Sequence, residues 1–466
     1  MDFNFARRQR LGRIVLAVVC ALILAPVSLS AAEGTIRVGL FSMPFAGGYP
    51  WRSASVSETH VHAAIYDSLT QLDGNATVQP MLATSWRPVD ELTWTFDLRS
   101  DVTFSNGEPF DAAAVVAVID YLRSPAAQGD TIAREANFLA GARALAPYAF
   151  EITTDRPSII LPRILAGIRI AAPAAMADPN SLTETPIGSG PFKVTSWSSA
   201  EVALEAFDDS WRAPRVERMV FRAVPDPAAR LQALMSGALD LAFGMGPDDR
   251  PLLQAAGHDL YSHPGGGVYG LSFVTVSGGP IADRRVRQAL NHGVDKQAIV
   301  EVLLQGAGTP ASQATPSVAH GYDPDLKPFT FDQDKARALL QDAGYQNGID
   351  FTVEAVIEGN STTSAVLQFV AAQLAEIGVR MEIRPIPVSE LFRKATGGGW
   401  DGQAFSMDFD TFPTFDAMRP IPMHSCLRAV PWYCDREIMP AIEKANTTFD
   451  AEARLNAVRD ILRHYR

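Results

Sequence analysis

Residues 351–402 constrain the fold more than any other stretch of the chain. Phe351, Val353 and Ala355 alternate as on a strand, Val366, Phe369, Val370, Leu374 and Ile377 recur at helical spacing, Gly378 stops the helix, and Val379, Met381 and Ile383 alternate again. A period of two, then 3.6, then two marks a βαβ unit, whose strands run parallel with a right-handed crossover. The chain is thereby committed to an α/β sheet covered by helices. A short helix near Leu391 and the break at Gly397-Gly398-Gly399 lead to a further expected strand over residues 400–407. The acids that follow Met407 are then expected just past the last parallel strand, at the rim where open α/β sheets bind ligands.

Composition narrows the class of partner. Across 466 residues, 47% hydrophobic and 20% charged content is globular, with room for about three domains. A formal net charge of −12, with no dense basic block after residue 13, repels phosphate backbones, so nucleic acid is not an expected partner. The start of the chain reads as an export leader: Arg7, Arg8, Arg10 and Arg13, the apolar run 14–25, then the small residues Ser30-Ala31-Ala32. Cleavage is expected near Ala32, releasing a periplasmic protein, by either the general or the twin-arginine route. The run is shorter than the ~20 residues that span a bilayer. Cys20 lies within the leader, which leaves Cys426 and Cys434 as an even pair in an oxidising compartment and points to one local disulfide. A metal site there would need two further ligands, and only His424 is near in sequence.

Elsewhere, Thr35–Leu40 and Thr93–Leu98 alternate as strands, Asn106-Gly107 turns the chain, and Asp111, Asp283, Asp295 and Asp332 stand as N-caps before apolar stripes. Catalytic patterns fail one by one. No Gly-Lys dipeptide is present, hence no Walker A loop. Gly265, Gly267 and Gly270 spell G-x-G-x-x-G, but Leu271-Ser272-Phe273-Val274-Thr275 reads as a strand where a dinucleotide site needs a helix. Ser189 in Gly188-Ser189-Gly190-Pro191 lacks the spacing of a nucleophile elbow and reads as a structural turn. His60 and His62 diverge if, as Val61, Ala64, Ile65 and Leu69 suggest, they sit on a helix. No catalytic residue, metal ligand or cofactor is assigned. Asp408 and Asp410, among Phe405, Phe409, Phe412 and Phe415, can be read either as turn acids beside buried rings or as the holder of a ligand ammonium.

Several segments together resemble the peptide and nickel class of extracellular solute-binding proteins that serve ABC importers. They are Pro80-Met81-Leu82-Ala83-Thr84-Ser85-Trp86, Leu92-Thr93-Trp94-Thr95-Phe96-Asp97-Leu98-Arg99, Val102-Thr103-Phe104-Ser105-Asn106-Gly107-Glu108-Pro109-Phe110 and Ile187-Gly188-Ser189-Gly190-Pro191-Phe192-Lys193. Leu231-Gln232-Ala233-Leu234 with Gly237 and Asp240, Asp283-Arg284-Arg285-Val286-Arg287-Gln288-Ala289-Leu290-Asn291, Val294-Asp295-Lys296 and residues 373–378 follow in the family's order. The resemblance covers residues 35–445.

It implies an α/β, two-lobed periplasmic-binding-protein architecture, with hinged lobes, a ligand cleft and an inserted mixed α+β subdomain in lobe I. The expected divisions are 1–32 signal peptide, 33–70 first part of lobe I, 71–186 insert, 187–274 second part of lobe I, 275–460 lobe II, and 461–466 the start of a return to lobe I. The implied function is capture of a small solute, a short peptide or amino-acid conjugate, and delivery to ABC permease subunits by a monomer. Within the class, nickel or an opine or sugar conjugate is the alternative; outside it stand a secreted hydrolase and a periplasmic chaperone. The candidate ligand residues are Asp408, Asp410, Trp400, Phe409, Trp432 and Tyr269. Relatives carry a cysteine pair comparable to Cys426 and Cys434. Three departures stand out: Val274 where the family often has Asn, no Asp-Pro in the acidic loop, and a chain that stops within an amphipathic helix carrying Leu455, Val458 and Leu462.

Overall fold

A computed structural model of the protein describes residues 34–52, 55–263, 265–357 and 361–466, apart from the Ser361 side chain. The leader and its cleavage position lie outside the described residues. The first sheet has five strands in the order Phe192–Trp197, Glu201–Ala206, Arg218–Ala223, Thr35–Leu40, Leu241–Ala242. Thr35–Leu40 pairs in parallel with both of its neighbours, which the chain can accomplish only by leaving the sheet and returning. Val38 and Leu40 are buried, as their alternation requires.

The excursion builds a second sheet on the same core. Ala83–Pro88, Thr93–Leu98, Ala149–Thr154 and Leu139–Ala146 form an antiparallel sheet. Trp94, Phe96 and Leu98 point one way into the core, where Phe96 stacks on Phe150 at 5.0 Å. Helix Ala112–Arg123 begins where Asp111 accepts the Ala113 and Ala114 N–H groups, and it buries Val115, Val118, Ile119 and Leu122. The chain comes back through Gly188-Ser189-Gly190, laid against the end of helix Val56–Ile65. The Gly190 N–H donates to the Ile65 carbonyl (2.9 Å), and a Cβ at Gly188 would overlap that same carbonyl. The Gly-Ser-Gly-Pro motif is therefore a close crossing of two backbones, in agreement with its reading as a structural turn.

The second lobe is a four-stranded sheet in the order Gly267–Phe273, Ala404–Asp410, Ile349–Ala355, Val379–Pro385. The expected βαβ unit is there: Ile349–Ala355 and Val379–Pro385 pair in parallel through helix Ser361–Ala375. Two expectations need correction. The strand placed over residues 400–407 is Ala404–Asp410, and the sheet is mixed, because this strand is central and runs antiparallel to Gly267–Phe273. Trp400 turns aside to stack on Phe405 at 3.7 Å, and Gly267–Phe273 supplies pairing partners as far as Asp410. Asp408 and Asp410 thus lie on the strand, not beyond it. Helices Arg284–His292 and Gln333–Asp342 cover the sheet with Val286, Ala289, Leu290, Ala336 and Leu340.

A third cluster joins Ala417, Met418 and Ile421 to helices Met439–Thr447 and Ala451–Tyr465. It is pinned by Asp416, whose buried carboxylate takes both arms of Arg454 (2.9 and 2.8 Å) and His320 Nδ1 (3.2 Å). From this cluster the chain touches the excursion of the first lobe. Arg163 Nη1 donates to the Thr414 carbonyl (3.1 Å), Arg419 pairs with Glu135 (2.7 Å), and Phe449 meets Trp94 edge-on at 5.9 Å.

Candidate functional site

The structure divides the six candidate residues into two groups. Side chains alternate along Ala404–Asp410, so Phe405 and Phe409 face one way and Asp408 and Asp410 the other. On the ring side, Phe405 lies between Trp400 and Trp432, and Phe409 stacks on His424 at 4.3 Å. Trp432 is buried and its indole N–H donates to His424 Nδ1 (3.2 Å). Burial pulls the His424 imidazole down to about 3, so it is neutral at pH 7 and able to accept that bond. Cys426 and Cys434 are joined in a disulfide that closes the loop carrying Trp432. Trp400 and Trp432 pack together around Phe405 behind the strand, and Phe409 reaches this block through His424.

On the other side, Asp408 stands opposite Tyr269 in the antiparallel register. Loss of water around it and then the neighbouring Asp410 charge push the Asp408 carboxyl up, and the same shielding lifts the Tyr269 hydroxyl to about 12. Asp410 serves the nearby backbone, since its Oδ1 accepts the Phe412 N–H (2.8 Å) and its carbonyl accepts Arg419 Nη1 (2.9 Å). It shapes the turn into residues 411–416.

That turn forms one wall of a cavity of about 280 Å³. Phe412, Pro413 and Phe415 close it from the second lobe. Opposite them stand Glu58, Thr59, His62 and Ala63 of helix Val56–Ile65, then Ser68, Gln71, Leu72, Met81, Ile132, Ala166, Gly167, Arg169 and Arg212. Glu58 serves a capping box, accepting the Ser55 N–H at 2.9 Å, and also takes the Phe45 N–H at 3.3 Å. His62 Nε2 lies 3.0 Å from the Gly47 carbonyl, which fixes Nε2 as the donor; burial pulls the ring down to about 4, so it is neutral at pH 7.

Two guanidiniums contribute positive charge. Arg212 Nη2 pairs at 2.5 Å with the buried Asp67, whose Oδ2 also accepts Ser189 Oγ (2.9 Å) and the Trp211 indole (2.8 Å). Arg169 sits on the short ladder that pairs Asp67–Ser68 with Arg169–Ile170, and its carbonyl accepts the Trp51 indole at 3.0 Å. Burial pulls Arg169 down to about 10, with Asp67 opposing that shift and Arg212 adding to it. The motif reading missed Arg169, Arg212 and Glu58. A local signal existed for Arg169, a lone charge within the apolar run Ile168-Arg169-Ile170-Ala171.

The site offers a partly enclosed space with fixed charges and apolar walls from both lobes, the features of a small-solute binding site. Among the described residues no group of three or more His, Cys, Asp or Glu is placed to hold a metal ion, and no helix is long and apolar enough to cross a membrane. Comparison with known proteins agrees. Residues 77–422 match the family model of bacterial extracellular solute-binding proteins, family 5, middle part, and the chain belongs to that family. It is 29% identical over 400 residues to the glutathione-binding protein GsiB of Escherichia coli, covering 84% of this chain and 76% of the relative. NikA from Brucella suis, solved with Fe(III)-EDTA, superimposes with a TM-score of 0.80 at 24% identity, covering 93% of this chain and 91% of that one. The oligopeptide-binding protein AppA of Bacillus subtilis, solved with a nonapeptide, gives 0.75 at 20% identity, covering 93% and 91%. These likenesses establish the two-lobed fold.

Proposed function

We propose that the protein works in the periplasm, captures a short peptide or amino-acid conjugate between its lobes without altering it, and passes it to the permease of an ABC importer. The observation that carries this reading is the cavity of about 280 Å³, walled on one side by Phe412, Pro413 and Phe415 and on the other by His62, Arg169 and their neighbours. Only a solute that touches both walls favours the closed arrangement over the open one, because an equilibrium shifts by differential affinity alone. The volume lies at the lower edge of ligand pockets in general and suits a solute of a few residues rather than a long peptide. The glutathione bound by GsiB and the nonapeptide bound by AppA support the choice of chemistry. For a solute that carries an ammonium group, Asp408 is the proposed partner: it stands beside Tyr269, partly shielded from water, and no cation pairs with it among the described residues.

Native mass spectrometry of freshly purified protein is expected to show a co-purified peptide or conjugate. Incubation with an excess of that solute is expected to return it intact. Turnover beyond one equivalent would overturn the reading in favour of a hydrolase, and a bound oligosaccharide or metal would overturn the peptide class.

A further inference from the structure

The cavity places two guanidinium groups near one carboxylate. Asp67 gives Arg212 its 2.5 Å ion pair and spends its other oxygen on Ser189 and Trp211. Arg169 has nothing comparable. Its one side-chain hydrogen bond among the described residues is a 3.5 Å contact with Ser68 Oγ, a hydroxyl that itself donates to the Thr70 carbonyl at 2.7 Å. The Glu58 carboxylate on the same wall is occupied by the Ser55 and Phe45 amides. His62 is neutral, so it neither competes with nor compensates a cation. A guanidinium held away from water without a carboxylate of its own is costly, and an arriving anion relieves that cost.

We propose that this cavity receives the carboxylate of the solute on the Arg169 guanidinium, with the apolar body of the same solute against Leu72, Met81, Phe412 and Phe415. The planar fork of Arg presents two parallel N–H donors to a carboxylate, a match that a lysine or a histidine does not reproduce. Asp67 holds the Arg212 charge from behind, so the wall has one positive charge to offer and selects a monoanionic group. The inference rests on the solute-capture reading above and adds to it the chemical class of the end that enters first.

The test uses the mature full chain. Wild type, Arg169→Gln and Arg169→Lys are compared by circular dichroism and melting, inspected by native mass spectrometry for co-purified solute, and dialysed exhaustively. They are then titrated calorimetrically with di- and tripeptides carrying a free C-terminal carboxylate and with the same peptides as C-terminal amides. Wild type is expected to prefer the carboxylates by about tenfold to a hundredfold. The preference is expected to fall to within about threefold in Arg169→Gln and to lie between in Arg169→Lys, which keeps the charge and loses the fork. The wild-type comparison decides even if Arg169→Gln fails to fold. Amides that bind wild type as tightly as carboxylates, an undiminished preference in Arg169→Gln, or a co-purified solute without an acid group overturns the carboxylate site and leaves solute capture intact. Wild type that carries no solute and binds neither series overturns both.

Discussion

Two buried aspartates, one in each lobe, pair with arginine, and they differ in what they leave over. At Asp416 both carboxylate oxygens meet both arms of Arg454, and His320 adds a further contact. At Asp67 one carboxylate is divided among Ser189, Trp211 and Arg212, while Arg169 stands close enough to feel it without an ion pair. The first pair is closed on itself and holds residues 411–416 in place. The second leaves a guanidinium facing the cavity. Burial and charge alone do not separate framework from function here; the hydrogen-bonding capacity still unspent does.

The sharpest way to break the comparison is at Asp416. Asp416→Asn leaves Arg454 buried without its counter-charge and is expected to destabilise the protein by about 3 to 5 kcal/mol in chemical denaturation. The pH profile carries the same information. Arg454 first and then His320 hold the Asp416 carboxyl far below its ordinary range, against the opposing effect of burial. A depressed carboxyl stabilises above its unfolded-state value near pH 4, and the contribution is lost as pH falls from there toward the folded value. Asp416→Asn should flatten that acid limb. A separate limb, from about pH 6.5 downward, belongs to the buried neutral His62 and His424, whose unfolded forms take up a proton first. This limb should survive in Asp416→Asn, and an unchanged acid limb would show that Asp416 is not the closed pair described above.

Next in size is the brace behind the strand. Replacing Cys426 and Cys434 by Ser reopens a loop with a sequence separation of 8, at an expected loss of about 2 to 3 kcal/mol in the chain-entropy model. Thiol titration of the denatured wild type should find neither cysteine free. Asp408 then sharpens the comparison from the opposite sign: among the described residues it is a carboxylate without an ion-paired cation, where Arg169 is a cation without an ion-paired carboxylate. Asp408→Asn is expected to weaken an ammonium-bearing solute about tenfold by calorimetry and to leave melting unchanged. A fall in melting with affinity within about twofold would mark Asp408 as structural. The smallest effect is expected at the partly exposed Arg419–Glu135 pair that joins the lobes. Glu135→Gln should cost about 0.5 to 1 kcal/mol, seen as a solute off-rate faster by a few-fold in stopped flow.

What the sequence revealed follows from the range over which each feature is encoded. The βαβ unit was legible because periodicity is local: Phe351, Val353, the stripe from Val366 to Ile377, and Gly378 each act on their own segment. The end of strand Ala404–Asp410 was not, because it depends on pairing with Gly267–Phe273, far earlier in the chain. Aromatic density around 400–433 was visible but ambiguous, since Trp400 and Trp432 signal a packed block as readily as a ligand wall. The cavity was hidden for a further reason. His62, Arg169, Arg212 and Phe412 come from four distant segments, and none belongs to a motif. His62 was noticed beside His60, yet His60 stacks on Phe243 at 3.9 Å and the two never act as a pair.

The crossing at Gly188-Ser189-Gly190 has a consequence for how such a molecule can be rebuilt. Ser189 and Asp67 are hydrogen-bonded although they lie 122 positions apart in sequence, and Gly190 and Ile65 are bonded beside them. Everything between leaves and re-enters at one point, like a cassette in a socket. The entropy of closing such a loop grows only with the logarithm of its length, so that doubling it costs about 0.6 kcal/mol. Chain closure therefore sets little limit on the length of the excursion; the limit comes from packing, since the excursion shares one hydrophobic core with the sheet and bonds to Trp51 and Thr414. A shortened chain in which a brief linker joins residues 70 and 187 tests the socket itself, and a transplanted excursion from a relative would bring its own cavity wall to an unchanged sheet.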